Sequence, residues 1–298
     1  MTDRLYNRLL NDGIDCRKGI SLAEHSSFRV GGTGELGIFP KNTSELTHCL
    51  SEIRRSELKY YVIGNGSNII FLDGSLSGIF VFTEGLKEIS VEGEEIRAEA
   101  GALLSSIATK AAEASLCGLE FAKGIPGSLG GGVFMNAGAY GGQMSDVVIS
   151  TCCYDTESGE TLTLTDHAFS YRSSIYEKNQ KLVCLEAKLK LGRSNKEEIT
   201  QKMRELAEAR RQKQPLEFPS AGSYFKRPEG AFAGKLIEDA GLKGLSVGGA
   251  EVSEKHAGFI INRGGATASD ILELEKKVVA TVYEKFGIRL EREVRVIG

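Results

Sequence analysis

The segment GIPGSLGGGVFMNAGAYGG, residues 124–142, constrains this chain more than any other. Eight of its nineteen residues are glycine and none is charged. Glycine loses more conformational freedom on folding than any other residue, so an ordered run of it belongs where backbone must go and side chains cannot. A flexible linker would be richer in Ser and charged residues and would not hold Phe134, Met135 and Tyr140. Bare backbone in apolar company suits close approach to a large flat ligand or a pyrophosphate. The chain has 36 glycines in 298 residues but 5 prolines, so the surplus does not reflect a Pro/Gly low-complexity sequence. A second glycine segment, GNGSN at 64–68, lies between the apolar runs 60–63 and 69–71. It reads equally well as a nest of main-chain N–H groups for an anion or as an Asn-Gly hairpin turn.

The standard nucleotide fingerprints are absent. Gly32, Gly34 and Gly37 form a G-x-G-x-x-G, but Ile38-Phe39-Pro40 follows it where a helix is needed. Gly230 to Lys235 is one residue short of a P-loop and is followed by Leu236. The six cysteines include no C-x-x-C, and none pairs with His25, His48, His167 or His256 at ligand spacing. Reduced, buried thiols and no metal are therefore expected. A net charge of −3 lacks the broad basic surface of a nucleic-acid binder. No window approaches 18 consecutive apolar residues, and MTDRLYNRLLNDGID lacks the apolar core of a signal peptide. A cytoplasmic protein with no membrane insertion is expected.

Hydrophobic periodicity predicts strands at 60–63, 69–71 and 79–83, and a hairpin about Glu92-Gly93-Glu94. Further strands are predicted in VVISTCCYD, TLTLT and LVCLEAKLKL, and a last one in LEREVRVIG. Helical spacing appears at Leu104, Ile107, Ala108, Ala111 and Ala112, then at Ile199, Met203, Leu206 and Ala207. Two more helices are predicted at about 231–240 and along Ile271, Leu274, Val278, Val282 and Phe286. Thr267 and Asp270 are spaced for a capping box on the latter. The charged string EARRQKQP, with Pro215 and Pro219, marks a domain boundary. The fold class is α+β. Taken singly, Arg172 in SYRSS and Glu293 in LEREV look like solvated surface charges. Ser223 in PSAGSYFKRP does not sit in a G-x-S-x-G elbow.

In order along the chain stand SFRVGG (27–32), IGNGSN (63–68), the glycine segment 124–142, YR (171–172), SAGSYFKRP (220–228) and EREVRVIG (291–298). Together, over nearly the whole chain, they resemble the UDP-N-acetylenolpyruvoylglucosamine reductase (MurB) family in its short (type II) form. That form lacks a substrate-capping tyrosine loop. The resemblance implies a two-part FAD-binding module of the vanillyl-alcohol-oxidase (PCMH) type plus a smaller α+β substrate-binding domain. The implied division is 1–72, 73–210 and 211–298, with the terminal strand returning to the flavin. It implies FAD held by Ile63, Gly64, Asn65, Gly66, Ser67, Asn68, Gly124, Pro126, Gly127, Ser128, Gly131, Asn136, Ala137, Gly138 and Tyr140. Asn136 and Tyr140 are expected near the flavin or the substrate.

The resemblance further implies that NADPH gives hydride to FAD, from which it passes to a UDP-sugar enol ether in peptidoglycan precursor synthesis. Arg172 would face the substrate carboxylate, Ser223 would donate the proton, and Glu293 would orient or stabilise the enol-like intermediate. Lys213, Arg227, His256 and Asn262 are candidates for holding the substrate. A monomer is expected, with no nucleic-acid partner. The alternatives are another FAD-dependent oxidoreductase of the same fold acting on an alcohol or sugar, or a non-catalytic nucleotide-sugar binder. SAGSYFKRP and the terminal EREV discriminate against the first, since a generic flavin module requires neither.

Overall fold

A computed structural model describes residues 1–298. The chain forms two compact units, the first from 1–19, 35–65 and 78–209 and the second from 20–34, 66–77 and 210–298.

The first unit is built on two sheets. One has four strands in the order Asp15–Ser21, Thr33–Phe39, Ser75–Phe82, Tyr60–Ile63, the last two parallel. Ile79 to Phe82 are all buried, as a continuous apolar run requires of a strand covered on both faces. Helix Thr43–Ser56 packs its Leu46, Cys49, Leu50 and Ile53 into a core with Leu36, Ile38, Ile79 and Val81. Its start is fixed by Asn42, whose side chain accepts from Glu45 N. The second sheet is antiparallel, in the order Glu160–Leu164, Val148–Asp155, Leu182–Lys190, Glu95–Glu99, Ile89–Glu92. The predicted hairpin turns at Gly93 with φ +62. Helix Leu104–Glu113 buries all five residues of its predicted apolar face.

The second unit carries a sheet of Ser246–Val247, Ala250–Val252 and Ile260–Asn262, with helices Ala233–Asp239 and Ala268–Phe286. Its core gathers Phe28, Ile70, Tyr224, Ile237, Ile271, Leu274, Val278 and Val282. The capping box of Thr267 and Asp270 forms as predicted, and Gly287 closes the helix in the left-handed conformation. Asp73 caps the same helix, accepting from Ala268 N and Ser269 N, both at 2.9 Å, and from Ser269 Oγ at 2.7 Å. Partial burial pushes the Asp73 carboxyl pKa up, but these three hydrogen bonds outweigh it and hold the pKa below 3.8.

Four features differ from expectation. The strands flanking GNGSN do not pair with each other. Tyr60–Ile63 joins the four-stranded sheet, whereas Ile69–Phe71 pairs in parallel with Arg295–Ile297. The segment is thus a crossing between sheets, and the hairpin reading fails. The final strand is three residues, Arg295–Ile297, and Phe286 stays 38% exposed because it ends its helix beyond the core. Finally, segments 20–34 and 66–77 group with 210–298. Phe28, Val30 and Ile70 are in that unit's core, and the strand Ile69–Phe71 finds its partner there.

Candidate active site

The glycine segment is ordered. It contains a short helix, Leu129–Phe134, and a tight pairing of Gly138–Ala139 with Gly142–Gln143. Leu129 N and Gly130 N donate to Ala102 O and Ala100 O, both at 2.8 Å, which pins the helix to the end of a strand. Close approach explains part of the glycine surplus. A Cβ on Gly132 would lie 3.0 Å from Leu104 Cδ1, and one on Gly142 would lie 2.5 Å from the Phe121 ring.

Two of the segments expected to hold cofactor meet here. Asn65 Nδ2 donates to Pro126 O. A Cβ on Gly64 would stand 2.3 Å from Ser128 Oγ, and one on Gly131 would stand 3.5 Å from it. Ser128 is 2% exposed, and its hydroxyl has no partner within the protein. An unpaired buried hydroxyl is costly, about 1–3 kcal/mol, and calls for a partner. Placed beside the bare backbone of Gly64 and Gly131, this donor suits an oxygen of a dinucleotide pyrophosphate. The residues present therefore fit FAD. Around them, Leu104 N donates to Gly127 O, Ala137 N to Gly132 O, and Thr83 Oγ1 to Ile63 O. Gly124 closes the turn Glu120–Gly124, and Tyr140 is 46% exposed with φ +52.

Asn136 is held by the protein's own hydrogen bonds. It is 2% exposed; its Nδ2 donates to Ser170 O at 3.1 Å and Gln143 Oε1 at 3.3 Å, and its Oδ1 accepts from Ser145 N at 2.9 Å. It therefore ties the glycine segment to the loop that carries Arg172. Arg172 is half-buried, with φ +53, and its Nη2 donates to Gly138 O at 3.1 Å. The fold thus joins YR (171–172) to the glycine segment.

The second unit assembles the other two candidates. Glu293 N donates to Tyr224 O, Lys226 N donates to Glu291 O, and Phe225 bridges Arg292 in antiparallel register. Residues 224–226 and 291–293 therefore run side by side, which brings Ser223 and the half-buried Glu293 into one strip. Buried Tyr224 anchors that strip through its hydroxyl, which donates to Glu275 Oε2 at 2.8 Å. Asn68 Nδ2 donates to Glu293 O at 3.3 Å and Arg295 N to Asn68 O at 3.0 Å. The end of IGNGSN is thereby fixed to the Glu293 strand. Gly66 is needed where it stands, since a Cβ there would meet His25 O at 2.0 Å. Ser67 beside it is half-buried.

The substrate candidates stand apart in kind. Lys213 ends the helix Lys196–Lys213 and is exposed, and the Arg227 guanidinium lies 4.6 Å from the Phe232 ring centroid. His256 Nδ1 accepts from Gly258 N at 3.1 Å, and burial pulls its pKa below the usual value, which favours a neutral ring. Asn262 is 6% exposed and works inside the fold: Nδ2 donates to Phe28 O, and Oδ1 accepts from Gly264 N and Ala266 N. Sequence reasoning missed the residues that brace the Arg172 loop. Thr151, His167, Ser174 and Tyr176 carry no motif, and only the fold brings them together.

Comparison with known proteins bears on the same residues. The C-terminal domain model of UDP-N-acetylenolpyruvoylglucosamine reductase matches residues 214–297, and an FAD binding domain model matches 35–165. A UDP-N-acetylenolpyruvoylglucosamine reductase of Clostridium perfringens is 48% identical over 278 residues, covering 93% of this chain and 91% of that protein. One from Caldicellulosiruptor bescii is 47% identical over 293 residues, covering 97% and 93%. The crystal structure of the Thermus caldophilus reductase superposes with a TM-score of 0.80 at 33% identity, covering 96% of this chain and 99% of that one. By its sequence over almost its whole length, and by its fold, the chain belongs to the UDP-N-acetylenolpyruvoylglucosamine reductase family.

Proposed function

We propose that this chain reduces UDP-N-acetylglucosamine enolpyruvate to UDP-N-acetylmuramate with NADPH, a step of peptidoglycan precursor synthesis. In balance, NADPH and one proton convert the enolpyruvyl ether to a lactyl ether and leave NADP⁺. The observation that carries the reading is the strip Asn68–Glu293–Tyr224. It fixes the backbone of Glu293 to Asn68 and to Tyr224, the residue that follows Ser223.

Bound FAD would supply the hydride chemistry that links NADPH to the terminal carbon of the enol ether. Ser128 and the bare backbone at Gly64 and Gly131 would hold its pyrophosphate, with the rest of 63–68 and 124–142 shaping the site. As hydride arrives, negative charge grows at C2 of the substrate and spreads into its carboxylate. Arg172 meets that charge with a planar, permanently charged guanidinium, which suits a carboxylate that becomes more negative in the transition state. Ser223 gives the proton to C2. A hydroxyl is a weak acid, but the carbon it protonates is strongly basic. Glu293 orients that donor and the enol-like group. Lys213 and Arg227 offer cations for the diphosphate, and His256 offers a neutral ring. In this scheme most of 1–72 and 73–210 serves FAD, and 211–298, together with the segments 20–34 and 66–77 that pack into its unit, serves the substrate. Both substrates are charged nucleotides of the cell interior, which supports a cytoplasmic enzyme. No helix is long and apolar enough to cross a membrane.

Ser223→Ala tests the assignment. NADPH should still bleach the bound flavin at a rate within about twofold of wild type, while product formation falls by about 10²–10⁴, the usual worth of a general acid. Loss of both half-reactions together would show that Ser223 is structural.

A further inference from the structure

Beneath the loop that carries Arg172 lies a buried polar chain that the reaction, as described, does not use. Thr151 Oγ1, on the strand Val148–Asp155, hydrogen-bonds His167 Nε2 at 3.0 Å and also the Tyr176 hydroxyl. The three residues are 1%, 4% and 1% exposed. His167 and Tyr176 stand at the two ends of the segment 167–176, with Arg172 between them. A single strand residue therefore grips both ends of the loop.

The loop needs gripping. Ala168 and Arg172 both have left-handed backbone, at φ +45 and +53, although neither is glycine. Such conformations are costly and persist only where the surroundings over-determine them. Here Ile175 N donates to His167 O at 2.7 Å, and Ser170 and Ser173 exchange backbone hydrogen bonds across the tip. Asn136 Nδ2 holds Ser170 O, and Ser174 Oγ donates to Phe134 O at 2.8 Å. Burial pulls the His167 pKa below its usual value against the opposing charge of Asp166, which favours an uncharged hydrogen-bonding ring. Apolar side chains of the same shape would fill this space without the risk of unpaired polar groups. What the polar chain adds is a fixed direction for each end of the loop.

We infer that Thr151, His167 and Tyr176 are positioning residues, which hold the 167–176 loop in the one backbone arrangement that sets Arg172 against Gly138 and toward the substrate carboxylate. This rests on the reading of Arg172 given above, and the test separates the two. Thr151→Val keeps the shape and removes the hydroxyl, and Tyr176→Phe keeps the ring and its packing. Both are made alone and with Arg172→Ala, in FAD-loaded enzyme. Anaerobic rapid mixing then follows flavin bleaching by NADPH and its recovery on adding the enolpyruvyl substrate.

Arg172→Ala should slow recovery by about 100-fold or more. Thr151→Val and Tyr176→Phe should each slow it by about 10- to 100-fold, as misplacement does. Neither should slow it further in the Arg172→Ala background, and bleaching should stay within about twofold throughout. Wild-type recovery in both single variants overturns the inference, as does an equal slowing with and without Arg172, which marks a general packing effect. Wild-type recovery in Arg172→Ala overturns the reading of Arg172 itself. With two chemically mild variants, a folding defect in one leaves the other to decide.

Discussion

Ser128 and Asn262 are both buried polar side chains in segments expected to bind ligand, and they differ in one respect. Ser128 Oγ lacks a protein partner, whereas Asn262 has three backbone partners. A buried polar group satisfied by its own chain serves the fold, and one left open serves whatever completes it. Asn262→Ala should therefore lower Tm, by the equivalent of about 1–3 kcal/mol for the backbone groups left without partners. The KM for the UDP-sugar should stay within about twofold. Thermal unfolding and steady-state kinetics on the same preparation check this, and a large KM effect at unchanged Tm would return Asn262 to the substrate site. The distinction was not legible in the sequence. Asn136 and Asn262 look as polar there as Ser128, and the partners that occupy them, Ser170 and Phe28, lie far away along the chain.

Among the elements, two junctions join segments distant in sequence. The first is the contact of Gly64 with Ser128, where a Cβ would stand 2.3 Å from the hydroxyl. Gly64→Ala should yield folded protein that retains little FAD, read as a fall in the ratio of 450 to 280 nm absorbance with Tm of the flavin-free protein nearly unchanged. Full flavin content would place the pyrophosphate elsewhere. The second junction is the Asp73 cap on helix Ala268–Phe286. Asp73→Ala should cost about 1 kcal/mol, since the carboxylate is partly exposed and screened. Because the folded-state pKa is depressed, this stability is fully present above 3.8 and is lost as the pH falls through the lower folded value. The Tm difference between variant and wild type should accordingly be constant near neutrality and vanish in acid.

Elements with a clear period were legible in the sequence. The helix Leu104–Glu113 and the hairpin at Gly93 obey local rules of spacing and turn chemistry. The crossing at GNGSN was not legible, because turn and nest use the same residues and only the partner strands tell them apart. The parallel pairing of Ile69–Phe71 with Arg295–Ile297 joins strands far apart along the chain, which no local signal specifies.

At the scale of the whole molecule, the glycine surplus reads differently from its first appearance. Some of these residues allow the helix Leu129–Phe134 to press against its neighbours, and others leave the backbone bare around Ser128. The same segment receives Arg172. A pairing of 224–226 with 291–293 sets Glu293 opposite Tyr224, the residue after Ser223, though neither Ser223 nor Glu293 is conspicuous where it stands in sequence. Their place in the order of motifs was legible, and their company was not. An anaerobic flavin cycle tests directly that this chain is a flavin reductase of a UDP-sugar enol ether. FAD-loaded protein should bleach near 450 nm on adding NADPH, then regain its full absorbance on adding the enolpyruvyl substrate, with one lactyl ether formed per NADPH consumed. Protein that binds no FAD, or a reduced flavin that the substrate does not reoxidise, would contradict it.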